Sequence, residues 1–155
     1  LTFFKEKLVF DKSHNYEQIA RNKPHGFWYS LSDSWIKYIS QDKRWLRSIE
    51  RKLVYEVKLK ENIFTKIDKP DEGKILVLDS KRDILQFNDR YIDDRIDWEN
   101  AAKEFGGIEL RNYDYELEST FSVNPRMDVS GGCVWDLNII EEVNCVGEVK
   151  ELWHI

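Results

Sequence analysis

Eight consecutive residues, Lys23 to Ser30 (KPHGFWYS), bring together a cation, an imidazole, a position without a side chain and three aromatic rings. Pro24 fixes its own φ and biases Lys23 away from helix. Gly26 leaves the backbone bare just where an aromatic strand begins at Phe27. Side chains alternate across a strand, so Trp28 and Tyr29 point to opposite faces; one of them joins the core and the other is free to stack on a ligand. Ser30 supplies a hydroxyl at the strand's end. His25 has two readings: a satisfied structural imidazole, or a ligand-binding group whose neighbour Gly26 lets a ligand approach the chain. Lys23 is likewise either a solvated strand-end cation or part of that site.

Three further segments carry chemistry. In GGIEL, Glu109 lies between Ile108 and Leu110 on a short strand, so its carboxylate points away from theirs. If those two face the core, Glu109 faces solvent or a cleft. In YDYELEST, Glu116 and Glu118 would share one face of an extended chain. SGGCVWD, Ser130 to Asp136, joins two glycines to a Cys, a Trp and an Asp; structural packing of Cys133 and Trp135 on opposite strand faces is the expectation, with direct catalysis the alternative. There is no GxxxxGK[ST], no GxGxxG, no HExxH and no GxSxG. His14, His25 and His154 are the only histidines, so no multi-histidine metal centre is expected. These absences disfavour P-loop ATPases, classical dehydrogenases and zinc hydrolases.

The elements that must hold these residues follow from periodicity. Ser32 or Asp33 can cap a helix along which Trp35, Tyr38, Ile39, Leu46 and Ile49 recur. Leu53 to Leu59 alternates as a half-buried strand, and Ile75 to Leu78 is an apolar run short enough for a strand covered on both faces. Ser80 caps a short helix through Ile84, Phe87 and Tyr91. Asp97 caps another through Trp98 and Ala101, which Gly106 and Gly107 are expected to stop as a left-handed cap. Tyr113 to Pro125 reads as a strand pair or a long loop, and the tail from Ile139 as a last strand or two. This order lacks regular βαβ alternation. The expected fold is α+β: one compact domain over 1–155 with a mixed, mostly antiparallel, split sheet and about three helices, and with 1–22 as an N-terminal extension of uncertain structure.

Charge is unevenly placed. Residues 1–66 hold 14 Lys and Arg against 8 Asp and Glu, an excess of +6, whereas residues 67–155 hold 10 against 21, or −11. Lys43, Arg44, Arg47 and Arg51 gather on one segment. They form either a solvated helix face or a contact surface for nucleic acid or another anionic partner. No run of about 18 apolar residues occurs, so no membrane span is expected. LTFFKEKLVF carries lysines within its apolar stretch and does not read as a signal peptide. Cys133 and Cys145 have no CxxC spacing, and free thiols in a reducing compartment are expected. Together these point to a cytoplasmic protein of a host or bacterial cell.

KPHGFWYS, Trp35, IDWENAAKEFGGIEL and SGGCVWD, over about residues 23–140, resemble a set of small phage and large-DNA-virus proteins of unknown function with KPxGLWxS, GIE and SGCIW motifs. That layout is similar, more distantly, to the ADP-ribosyltransferase fold, whose members bind NAD in a cleft between two small sheets. The resemblance implies an NAD-consuming transferase with no metal, acting as a toxin or as an effector of phage defence or counter-defence on a protein or nucleic acid, and held by an antitoxin or host protein. It implies that His25 and Gly26 hold the nicotinamide-side ribose and amide, with Lys23 at the same cofactor site. Trp28 or Tyr29 stacks on the nicotinamide, and Ser30 hydrogen-bonds nearby. Glu109, or Glu118 with Glu116, then steadies the charge that develops at the ribose carbon. The chain departs from the pattern in lacking a Ser-Thr-Ser strand before Glu109. A second class, a non-catalytic interaction module, is implied by the polar charge axis alone.

Overall fold

A computed structural model describes residues 1–4 and 7–153; His154 lies outside them. Among the described residues eight strands form two sheets. The smaller sheet has the order β1 (Thr2–Phe4), β3 (Leu53–Leu59), β8 (Ile140–Glu148), all antiparallel. The larger has the order β2 (Phe27–Ser30), β7 (Gly131–Val134), β6 (Phe105–Leu110), β5 (Asp71–Leu78), β4 (Phe64–Thr65). Here β4, β5 and β6 are parallel, while β7 runs against both β6 and β2. Strands β2, β4, β5 and β6 therefore point the same way, and their C-terminal ends share one rim.

The α+β class and the split, mostly antiparallel sheet are as expected. Helices are more numerous and shorter: α1 (Ser34–Ile39), α2 (Lys43–Ile49), α3 (Lys81–Tyr91), α4 (Trp98–Glu104), α5 (Tyr115–Thr120) and α6 (Val149–Leu152). Instead of one helix from Asp33 to Ile49 there are two. Asp42 interrupts the periodic run with extended backbone, and its side chain accepts from the Arg44 N–H to start α2. The Ser80 and Asp97 caps form as expected, accepting from the N–H groups of Asp83 and Asn100.

Gly106 and Gly107 do not cap a helix. The chain passes from Glu104 straight into β6, and both glycines lie within the strand. Their role is clearance: a Cβ on Gly107 would stand 2.9 Å from the Cys133 carbonyl oxygen, and one on Gly106 2.8 Å from that of Glu72. Close backbone approach, not a left-handed turn, requires them.

The larger sheet is covered on both faces. On one, Leu76, Leu78, Ile108, Leu110 and Cys133 pack against α3 and α4 through Ile84, Phe87 and Trp98. On the other, Phe27, Tyr29, Ile75 and Val134 meet Val57, Leu59, Ile140 and Val143 of the smaller sheet. Cys133 and Trp135 share the helix-side core rather than opposite faces, because positions two apart on a strand project the same way. A third cluster seats α1 and α2 through Ile36, Ile39 and Ile49 on Val54 and Val149. Among the described residues no helix is long and apolar enough to cross a membrane.

Candidate functional site

Register builds the site. Tyr29 of β2 and Glu109 of β6 are both paired with Gly132 of β7, so the three form a row across the larger sheet on the face turned to the smaller one. Two strand spacings of about 4.8 Å separate Tyr29 from Glu109. Tyr29 spans them because Gly132 has no side chain: a Cβ there would lie 2.4 Å from the Tyr29 hydroxyl oxygen. The phenol passes over the glycine and donates to Glu109 Oε1 at 2.6 Å. From the far side Arg111 Nε donates to Oε2 at 2.5 Å.

Glu109, expected to face solvent or a cleft, is only 2% exposed. Strand β6 is buried on both faces, so alternation turns the carboxylate into the space between the sheets. Both of its oxygens act as acceptors, as those of an ionised carboxylate do. Burial first, and then the carboxylate itself, push the Tyr29 phenol well above the ordinary tyrosine range. The Arg111 guanidinium lies over the Phe64 ring, 4.5 Å from its centroid. Its Nη groups make no hydrogen bond among the described residues.

Two cavities meet at this row. One, of about 450 Å³, has Glu109 and Arg111 on one wall and Glu56, Val57 and Leu59 of the smaller sheet on the other. The second, of about 290 Å³, is lined by Lys23, Trp28, Trp35, Lys52 and Arg126. Tyr29 and Ser30 line both. Two left-handed residues, Ser32 (φ 49°) and Asn112 (φ 54°), follow β2 and β6 at the same rim. Backbone of that kind gathers at ligand-binding sites.

Of the residues singled out from sequence, Tyr29, Ser30 and Glu109 therefore come together, with Lys23 and Trp28 in the adjoining cavity. Trp28 and Tyr29 do face opposite ways, and Lys23 Nζ sits 4.4 Å from the Trp28 ring centroid. His25 lines neither cavity. Its Nδ1 meets the Glu17 carbonyl at 2.8 Å, its Nε2 meets Arg21, and its backbone is gripped at both N–H and C=O by the buried Gln18 amide. One proton on Nδ1 satisfies both ring contacts. His25 is thus a strut for residues 15–22, its ring engaged by Glu17 and Arg21 away from both cavities. Gly26 admits a close neighbour strand: a Cβ there would meet Cys133 Sγ at 2.5 Å and the Val134 carbonyl oxygen at 2.7 Å, so β7 lies against the bare backbone.

Glu118 is also elsewhere. Tyr113 to Pro125 contains α5 instead of a strand, and two positions on a helix turn about 200°, so Glu116 and Glu118 diverge. Glu116 pairs with Lys81, while Glu118 accepts from the Tyr113 hydroxyl at 2.6 Å and from Asn124 at 2.7 Å. Lys43, Arg47 and Arg51 are exposed and form no ion pair among the described residues, whereas Arg44 is held by Asp42 at 3.1 Å. Arg111 was missed, although the E-x-R spacing after Gly107 is a same-face pair on any strand. Gly132 is one of two adjacent glycines in SGGCVWD, and only strand pairing reveals it as a gap. No group of acidic, histidine or cysteine side chains arranged to hold a metal occurs among the described residues.

No protein-family model, no curated protein and no solved structure matches this chain.

Proposed function

We propose that the protein is an NAD-consuming, ADP-ribosyltransferase-like enzyme that modifies a macromolecule, in the manner of a toxin or of an effector in phage defence or counter-defence. The observation that carries this reading is the Tyr29–Glu109–Arg111 row, at the wall of a cavity flanked by both sheets. In this reaction the glycosidic C–N bond of NAD breaks, nicotinamide leaves with the electron pair, and positive charge develops at the ribose carbon. A nucleophile on the acceptor then bonds to that carbon and loses its proton. A carboxylate fixed in a water-poor cleft stabilises such a centre, and Glu109 is held in place by two donors before substrate arrives. Arg111, with its Nη groups directed to no protein partner, suits the pyrophosphate. Tyr29 serves as the positioning residue for Glu109, and Ser30 stands beside it on the cavity wall. The catalytic role thus falls to Glu109 and not to Glu118, whose oxygens are engaged away from both cavities.

The test is incubation of the protein with labelled NAD and cell extract, scoring nicotinamide release and label transfer. Turnover that Glu109→Gln lowers by about 100-fold or more, and Glu118→Gln leaves near wild type, is the expected result. Absence of turnover together with absence of saturable NAD binding would remove the reading.

A second reading is favoured by one fact: Glu109 is already fully paired and 2% exposed. On this reading the row is a structural ion pair and the protein is a non-catalytic interaction module. Recovery of one stoichiometric partner from extract, with Glu109→Gln still binding it, supports that alternative.

A further inference from the structure

We infer that the smaller cavity, of about 290 Å³, is a binding site for a free mononucleotide, a flat base joined to a phosphate monoester. The NAD reading rests on Glu109 and the larger cavity, and this inference does not depend on it. Rings and cations here line one and the same space. Trp28 and Trp35 are both on its wall, half-buried, and share no ring contact with each other among the described residues. Trp35 lies against Tyr38 with ring centroids 5.5 Å apart at 29°, which fixes the plane it presents. The Trp28 ring carries Lys23 Nζ at 4.4 Å from its centroid, so a positive charge already stands at the aromatic wall.

Lys23, Lys52 and Arg126 share that wall with a single carboxylate, Asp128. None of these cations forms an ion pair among the described residues, so the wall carries a formal excess of two positive charges. A phosphate monoester carries about −1.5 to −2 at neutral pH and matches that excess. Arg126 is held in left-handed backbone, φ 62°, where its N–H donates to Asn124 Oδ1 at 2.8 Å. Backbone of this kind persists at ligand clamps. The edge of β2 adds a further pair of groups. Ser30 turns both its N–H and its C=O to Leu1, on the side away from β7. By alternation along the strand Trp28 turns its own the same way, and there they have no partner among the described residues. A donor and an acceptor side by side suit the polar edge of a base.

An inorganic anion would use the cations and leave the rings idle. A neutral aromatic compound would use the rings and leave three cations without a counter-charge. Base and phosphate in one molecule engage both. The volume lies at the lower end of the range for small-molecule sites, about 300–1,000 Å³, and suits one nucleotide rather than a strand.

Calorimetric titration of the protein with AMP, GMP, CMP and UMP at low salt tests this. Saturable binding of at least one of them at a single site is expected, with the corresponding nucleoside and inorganic phosphate each weaker by about 10-fold or more. Lys52→Gln and Arg126→Gln should each weaken the nucleotide by about 10-fold, the scale of a lost charge-assisted contact. Trp35→Ala should weaken it by about 5-fold to 100-fold, the range of one lost base stack. Arg126 is exposed, so its variant tests the site even where Trp35→Ala disturbs the fold, and a thermal melt checks each protein. None of the four nucleotides contains nicotinamide, so the outcome is read separately from nicotinamide release. Absence of saturable binding by all four would overturn the inference. Inorganic phosphate or the nucleoside binding as tightly as the nucleotide would also overturn it, as would nucleotide binding that Lys52→Gln and Arg126→Gln both leave unchanged.

Discussion

Glu109 sits where a carboxylate is expensive to hold, and two neighbours make it tolerable. Tyr29 contributes a hydrogen bond to a charged acceptor, so Tyr29→Phe should destabilise the fold by about 1.5–3 kcal/mol in a denaturant titration. The same bond has a signature in pH. Its phenol pKa is raised in the folded state, first by burial and then by Glu109. The folded form therefore keeps a proton that the unfolded chain gives up near pH 10. Stability from this group is complete below that pH and declines above it, by about 1.4 kcal/mol per pH unit per proton. Tyr29→Phe should be less steep by one proton over that window. An unchanged alkaline slope would mean that the phenol is not buried against Glu109. Gly132→Ala should be more disruptive than its single methyl suggests, because the new Cβ would lie 2.4 Å from the Tyr29 hydroxyl oxygen and 2.8 Å from the Ile108 carbonyl oxygen. A melt in which this variant equals wild type would refute the row.

At the scale of elements, short helices are held by their caps. Ser80 accepts from the Asp83 N–H at 3.2 Å, and α3 buries Ile84, Phe87 and Tyr91 behind the larger sheet. Ser80→Ala should lower stability by about 1 kcal/mol with little effect on the cavities. This cap was legible in sequence, as were the strands at Leu53, Ile75 and Ile108, because local patterns dictate them. Less legible were the features that pairing creates. Gly106 and Gly107 look like a helix stop until β7 is laid beside them. His25 and Gly26 look like an open edge until Gln18 and Cys133 are set against them. Glu116 and Glu118 look like a same-face pair until Asp114, accepting from the Leu117 N–H at 2.6 Å, starts a helix under them. In each case a partner distant in sequence, or a cap, overrides the local pattern.

At the scale of the molecule, two sheets meet face to face, with α3 and α4 on the outer face of the larger one and α1 and α2 seated on Val54 of the smaller. This leaves the space between the sheets as the place where a polar row is both buried and reachable. The same layering separates the two thiols: Cys133 is buried in the helix-side core, and Cys145 is exposed on β8. Burial pushes the Cys133 thiol well above its ordinary range. A disulfide-exchange reagent should therefore titrate one thiol in the folded protein and the second only on unfolding; two fast thiols would contradict this packing.

The central claim, that Glu109 is a working carboxylate and not only a buried ion-pair partner, is most directly tested by nicotinamide release from NAD by the purified protein and its Glu109→Gln variant, with melting temperatures compared in parallel. Release by wild type that falls by about 100-fold or more in a variant still folded at the assay temperature is the predicted result. Equal release by both proteins, or no release and no saturable NAD binding by wild type, would contradict it.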